Sequence, residues 1–443
     1  MSRTLTTLAT LAPLVLLVTL LLNVTPLFAA HTIHHSLKKS PMIEKIIIRG
    51  LTRTKEHVVL RELLVKEGDV LTAEVLLDCI QRLKNRRIFS KVLPIIKLTS
   101  DNHVELTIEV EERWTAIPYF NFSSGGDTFY LYAGIYDINT FGRYIETGGQ
   151  YESWNGKSGG SIWFRNPRFL NKRILAGADL SSTLRPRTLY SPSGDIQGNF
   201  NLKQKKLKLF FENEIKIWLR LGFTLQLRQT EIIDASATDK IDSLTLDLLN
   251  NGKITDEIGT TFYATLGRLN YDNYLVSGRE SSLFYRYAGD KTGSGELIKQ
   301  VSWENSIFWR LPHTANAGFR FNISAIDTDN IQNFFYIGGF NNIRGYFDGQ
   351  FRSKAYWQLN AEYRIPSLKT DWLVIQHIFF VDAVNTSNQL KDLGNSNNIV
   401  YSGGTGIRVI SPKIYSLNGR IDFALISSQK TQSVISFGAQ QFF

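Results

Sequence analysis

The chain has 443 residues, with 50 Lys+Arg against 40 Asp+Glu and a formal net charge of +10. A 43% hydrophobic and 12% aromatic content excludes a disordered chain, and a single cysteine excludes an internal disulfide framework and a multi-cysteine zinc site. The charge is modest for the length, so nucleic acid is not the first reading. A mean hydropathy of −0.13 is too polar for a helical membrane bundle, but it suits a β-barrel, in which only alternate residues face lipid.

Arg3 is the only charge in the first 30 residues; an apolar stretch from Leu11 to Leu22, then Pro26 and the small pair Ala29 and Ala30, follow it. That order predicts a secretory signal peptide over 1–30, with an uncleaved membrane anchor as the alternative reading. Residues 31–42 read as a polar leader; His31, His34 and His35 are set there rather than as metal ligands.

From 43 to 113 the periods alternate. Ile43 to Leu51 is a β-branched run with Gly50 as a turn. Thr54 to Leu64 has helical spacing with Thr54 as N-cap, and a second helix from Thr72 puts Val75, Leu76, Cys79, Ile80 and Leu83 on one face. Strands at Val92–Thr99 and His103–Val110 flank the turn Ser100-Asp101-Asn102. The order β-α-α-β-β predicts a small α+β unit, with Cys79 a buried core thiol.

Beyond Arg113 strict alternation takes over, as at Thr128–Ile135, Lys206–Trp218, Leu219–Leu227, Ser281–Tyr287, Trp303–Trp309 and Ala317–Ile323. Aromatics gather near segment ends, among them Tyr130, Tyr132, Trp163, Trp218, Trp303, Trp309 and Trp357. At roughly 20 residues per strand and connection, 116–443 holds about 16 antiparallel strands. A secreted chain with aromatic girdles and even-spaced amphipathic strands points to a closed transmembrane barrel, which leaves no unpaired backbone edge in lipid. Lys203, Lys205, Lys206 and Lys208 read as a solvated face, with anionic lipid headgroups as the alternative.

The segment IEKIIIRGLTRTKEHVVLRELLVKEGDVLT, with LLDCIQRLKNRRIFSKV and VELTIEVEER, resembles a POTRA domain. YDINTFGR (136–143) resembles the first barrel hairpin, and FRNPRF (164–169) a later strand end, of BamA/TamA-type proteins. FYIGGFNNIRGYFDGQ (335–350) resembles the inward-folded loop with an Arg-Gly-aromatic tip that marks the POTRA-bearing outer-membrane assembly and secretion family, and LNAEYRIP (359–366) and HIFFVDAVN (377–385) follow in that family's order. The resemblance implies an α+β POTRA domain in the periplasm, followed by an all-β outer-membrane barrel with an inward loop. In that loop Gly338 and Gly339 would make the entry, and Arg344, Gly345 and Tyr346 the tip. Glu362 and Asp382 would pair with Arg344, and Phe380 would pack beside it. The guanidinium fork suits two carboxylates. The end of the chain, with Phe437 and Phe443, resembles the terminal-strand signal of such barrels.

The family's larger members carry two to five POTRA domains, and this chain has room for one. No nucleophile-His-acid arrangement, metal cluster or cofactor motif emerges, so no enzyme is expected. Three functions stay open. The first is an assembly or insertion factor that takes unfolded clients through the POTRA domain, with outer-membrane lipid and a periplasmic or inner-membrane accessory protein as further partners. The others are a two-partner secretion pore exporting a dedicated protein, and a passive pore or surface antigen.

Overall fold

The computed structural model describes residues 40–439, apart from 101, 126–127, 155, 192–193, 238–253, 292–296, 340–341, 416–417 and 427–432. The signal segment, the three leader histidines and Phe443 lie outside the described residues.

The first unit consists of β1 (Met42–Arg49), α1 (Glu56–Leu60), α2 (Ala73–Asn85), β2 (Phe89–Ser100) and β3 (His103–Glu112). Its sheet has the order β1-β3-β2, with β1 parallel and β2 antiparallel to β3. Apolar residues at helical spacing on α2 and at alternate positions on β3 converge in one core, in which Ile43, Leu71, Cys79, Leu83, Val104, Leu106 and Ile108 are fully buried. Each such aliphatic side chain contributes about 1.5–3 kcal/mol. Thr72 caps α2, its Oγ1 accepting from the Val75 N–H at 3.2 Å. The helix expected over 54–64 is shorter, and Thr54 does not cap it. The N-cap position is Lys55, without a side-chain bond, and the Thr54 Oγ1 accepts from Asn139 Nδ2 at 2.8 Å instead. A partner in the second unit has taken the capping hydroxyl.

That second unit is one 16-stranded antiparallel sheet. It comprises β4 (Ala116–Gly125), β5 (Thr128–Asp137), β6 (Glu146–Trp154), β7 (Lys157–Asn166), β8 (Ile174–Tyr190), β9 (Ile196–Lys216), β10 (Leu219–Ala237), β11 (Thr255–Asp272), β12 (Leu275–Asp290), β13 (Ile298–Arg310) and β14 (Asn316–Asp327). After the separate hairpin of β15 (Phe335–Ile337) and β16 (Phe351–Ser353), it resumes with β17 (Ala355–Lys369), β18 (Val374–Ser387), β19 (Ile399–Ile410), β20 (Asn418–Ile426) and β21 (Ser433–Ala439). Sequential neighbours pair throughout, except that β14 pairs with β17 across the intervening hairpin.

The alternation is that of a barrel wall. On β10, Leu221, Phe223, Leu225 and Leu227 are exposed, while Thr224 between them is buried. Ile162 and Phe164 on β7, Phe262 and Leu266 on β11, and Phe379 and Val381 on β18 continue the outward apolar band. In water such a band is an aggregation liability; against acyl chains it is what the surroundings require. Among the described residues no pairing joins β21 to β4. The sheet's ends nevertheless meet on the POTRA side, where Trp114, just before β4, forms a parallel bridge with Ile414 in the β19–β20 turn. The Trp114 N–H donates to Lys413 O at 3.1 Å, and the Tyr415 N–H to Trp114 O at 3.0 Å.

Three expectations are corrected by the pleat. The strand read as Lys206–Trp218 ends at Lys216, because Ile217 and Trp218 make the turn into β10. Trp163 belongs to no girdle: it points to the lumen, donating to Glu146 at 2.8 Å, since its neighbours Ile162 and Phe164 take the lipid face. The four-lysine cluster is not one face, because Lys203 and Lys205 share the outward parity of Leu207, and Lys206 and Lys208 the inward parity. Phe437 stands on β21 in register with Ile421.

Because every barrel strand pairs along its length, the unheated chain should migrate as a compact species on detergent gels and shift on boiling. Its circular dichroism should be strand-dominated; a heat-insensitive, mainly helical product would overturn this fold.

Candidate functional site: the inward loop and the POTRA interface

The segment between β14 and β17 folds back into the barrel, and its tip is held by charge. Arg344 is 2% exposed. Its Nε and Nη2 donate to Asp382 Oδ2 and Oδ1, both at 2.7 Å, and its Nη1 donates to Glu362 Oε1 at 2.5 Å. Its backbone N–H donates to Asp382 Oδ2 at 3.1 Å. The guanidinium carbon lies 3.5 Å from the Phe380 ring centroid. The pleat explains the set: Glu362 stands opposite Phe380 in the β17–β18 register, and Asn360 opposite Asp382, so all four point into one stretch of lumen.

The cluster is wider than the sequence indicated. Glu362 also accepts from Arg364 Nε at 2.8 Å and Arg408 Nη2 at 3.2 Å, and Arg408 Nη1 donates to Asp422 Oδ1 at 2.7 Å. Three guanidiniums thus meet three carboxylates. Asp382 has fewer alternatives: apart from Arg344 it accepts from Asn360 Nδ2 at 2.8 Å. Arg364, Arg408 and Asp422 were missed, although Arg364 lies two residues from Glu362 and so on the same strand face.

The glycines permit the approach. Gly345 has φ +91°, and a Cβ there would meet Ile426 Cγ2 at 2.5 Å. Gly338, with φ +148°, lies so close to the far limb of the loop that a Cβ would meet Phe347 O at 2.2 Å. Gly339 adjoins it. Tyr346 is buried beside Phe351, with ring centroids 5.3 Å apart, and its hydroxyl donates to Tyr401 O at 3.2 Å. On the other limb Phe347 stacks on Tyr190 of β8 at 5.2 Å. The loop therefore crosses the lumen from β17–β18 to β8. Beside it, Leu189, Phe200, Leu202, Ile232 and Ile331 form an apolar cluster at the end of the barrel away from the POTRA domain.

The opposite mouth is met by the POTRA domain. Its central contact is Glu62, 0% exposed, which accepts from Arg168 Nε at 2.6 Å and Nη2 at 2.7 Å. Arg82 Nε donates to Glu62 O at 3.1 Å, and its Nη1 to Glu214 Oε1 at 2.8 Å. Around this core, Asp78 pairs with Arg268 at 2.9 Å and Lys84 with Asp272 at 3.1 Å. Arg87 lies 4.9 Å from the rings of both Tyr271 and Tyr415. The Lys55 N–H donates to Gly142 O at 2.8 Å. The motif segments 136–143 and 164–169 are thus the turns that receive the POTRA domain, through Asn139 and Arg168. Burial works against the Glu62 anion, but the Arg86, Arg168 and Arg82 guanidiniums outweigh it and hold its carboxyl below the ordinary value of 4.5. Among the described residues no group of His, Cys, Asp and Glu could hold a metal ion.

A POTRA unit whose helices dock on the mouth of a β-barrel with an inward Arg-Gly-Tyr loop defines a class of outer-membrane protein, and comparison with known families agrees. The Omp85 superfamily domain matches residues 139–443, and the POTRA family described as surface antigen variable number repeat matches 41–113. The chain belongs to the Omp85 superfamily, whose barrel lies in the outer membrane with the POTRA domain in the periplasm. A putative outer membrane protein assembly factor of Treponema pallidum is 36% identical over 107 residues, 24% of this chain and 12% of that protein. The outer membrane protein assembly factor BamA of Nitratidesulfovibrio vulgaris is 29% identical over 146 residues, 31% of this chain and 18% of the relative. The matches therefore span less than a fifth of either relative. Among solved structures, BamA from Haemophilus ducreyi lacking POTRA domains 1–3 has a TM-score of 0.53 at 14% identity, covering 90% of this chain and 85% of that one. CdiB from Acinetobacter baumannii has a TM-score of 0.55 at 15% identity, covering 90% and 73%. At these identities the two structures speak to the fold.

Removing Arg344 leaves Asp382 buried with one hydrogen bond, a loss of about 3–5 kcal/mol in loop docking. Arg344→Ala should therefore speed proteolysis within 338–350 by roughly two to four orders of magnitude, where opening is fast relative to cleavage. Arg344→Lys should fall between, since an ammonium keeps the charge but not the fork. Unchanged cleavage in Arg344→Ala would detach this residue from the loop's position.

Because the Glu62 carboxyl is depressed in the folded state, its contribution to docking is complete above about 4.5 and is lost as pH falls through the depressed value. Spin labels at Leu77 and Trp218, both exposed, should give one narrow distance distribution at pH 7 that broadens well below pH 4.5. Glu62→Gln should show the broad distribution already at pH 7. A narrow distribution in that variant would remove Glu62 from the interface.

Proposed function

We propose that the protein is a non-catalytic outer-membrane assembly factor that receives unfolded client proteins through its POTRA domain and passes them to the barrel wall. The observation that carries this reading is the free edge of the POTRA sheet. β2 pairs with β3 on one side only, and from Leu93 onward both of its faces are open: Leu93, Ile95, Ile96 and Leu98 are all exposed, Leu98 by 73%. An edge strand with unpaired backbone groups and apolar side chains suits an extended client segment of any sequence, because the main chain supplies the bonds.

The same geometry argues against export through the lumen in this state. The POTRA domain covers one mouth and the inward loop crosses the other end, so the open surface is the sheet's own boundary at β4 and β21.

A photo-crosslinking residue at Leu98 should capture nascent outer-membrane barrel proteins in living cells, and one at lipid-facing Leu225 should not. Capture of a single large secreted protein from Leu98 would favour a dedicated secretion pore, and absence of any client adduct from the β2 edge would overturn the reading.

A further inference from the structure

The lumen wall formed by β8, β9 and β10 carries more cationic charge than its carboxylates can match. Lys206 stands directly opposite Arg228 in the β9–β10 register, and like charges placed so repel. The charges that act on Lys206 are those of Arg228, Arg185, Arg187 and Lys208. Two of the nearby acids are already engaged: Glu152 holds Arg185 at 2.9 Å, and Glu257 is shared by Arg228 and Arg286. Asp179, opposite Lys208, lies 3.6 Å from Arg165, and its buried Oδ1 has no hydrogen-bond partner. Among the described residues Arg187, Lys206 and Lys208 make no ion pair. The Nε atoms of Arg187 and Arg228 are buried without a hydrogen-bond partner. Asp348 of the inward loop acts on Arg187 and Arg185 but reaches neither within ion-pair distance.

Uncompensated cations and orphaned guanidinium donors in a partly dehydrated wall mark a place for an anion. Two or more charges on that anion would answer the repulsion between Lys206 and Arg228, and guanidinium forks match phosphate oxygens. We propose that this wall is a binding site for a phosphate-bearing anion, held by Arg187, Lys206 and Lys208 with Arg185 and Arg228 at its margins. The site opens to the lumen. On the other face of the same strand Lys203 is paired with Glu231 at 2.9 Å and, with Lys205, faces the lipid side.

That opposition supplies the test. Pyrophosphate, titrated against chloride at constant ionic strength, should raise the unfolding midpoint of the full chain in detergent by roughly 2–4 °C at saturation. The paired substitution Lys206→Gln with Lys208→Gln should abolish the rise, and Arg187→Gln should weaken it independently. Lys203→Gln with Lys205→Gln, the same change of charge on the lipid face, should leave it intact. Absence of a rise in the native chain, or an undiminished rise in the inward pair, would overturn the site. So would a loss in the outward pair, which would place the anion among lipid headgroups. Each variant is first required to show the heat-dependent mobility of the folded barrel, and Arg187→Gln decides the matter if the inward pair does not fold.

Discussion

Acyl chains offer no hydrogen bonds, and that single deprivation organises the molecule. Every barrel strand must find its donors and acceptors in its neighbours, and the period-two pleat then sends alternate side chains to lipid and to lumen. The outward set has almost no chemical freedom. Most of the polar chemistry of the chain lies in the inward set and in the turns, which is where the loop tip, the POTRA contacts and the cationic wall are found.

The two closures of the lumen use the same material differently. At the loop tip, Arg344, Arg364 and Arg408 face Glu362, Asp382 and Asp422 within one buried cluster, with Arg320 and Arg420 acting on the same carboxylates from its margin. At the POTRA mouth a single fully buried carboxylate, Glu62, meets Arg168 from the barrel and Arg82 and Arg86 from its own domain, with Glu214 supplying further balance. A buried charge that loses its partner is far costlier than a solvated one. Both arrangements are therefore strict about geometry while leaving the strand ladder untouched.

Much of this was legible from residues alone, and the limits are physical. Alternation announced the strands and about their number, because a half-lipid, half-lumen wall imposes period two. Arg344, Glu362 and Asp382 could be matched because their motifs occur in a recognisable order. Glu62 could not: in the turn after a short helix a glutamate reads as solvent-facing, and its partner Arg168 lies 106 residues away in a turn. Thr54 read as a cap because local chemistry favours it, until Asn139 claims its hydroxyl. The lysines of β9 were read as one patch, though their numbering alone, odd against even, already divided them between the two faces.

The bridge between Trp114 and the β19–β20 turn has a mechanical meaning. Two backbone hydrogen bonds tie the root of the first barrel strand to the base of the hairpin that leads into the last strands, and Arg87 braces the same turn through Tyr415. While that tie holds, the sheet's free margins cannot separate evenly along their length. They can only fan apart like the covers of a book, with the spine at the periplasmic rim and the widest gap at the cell surface.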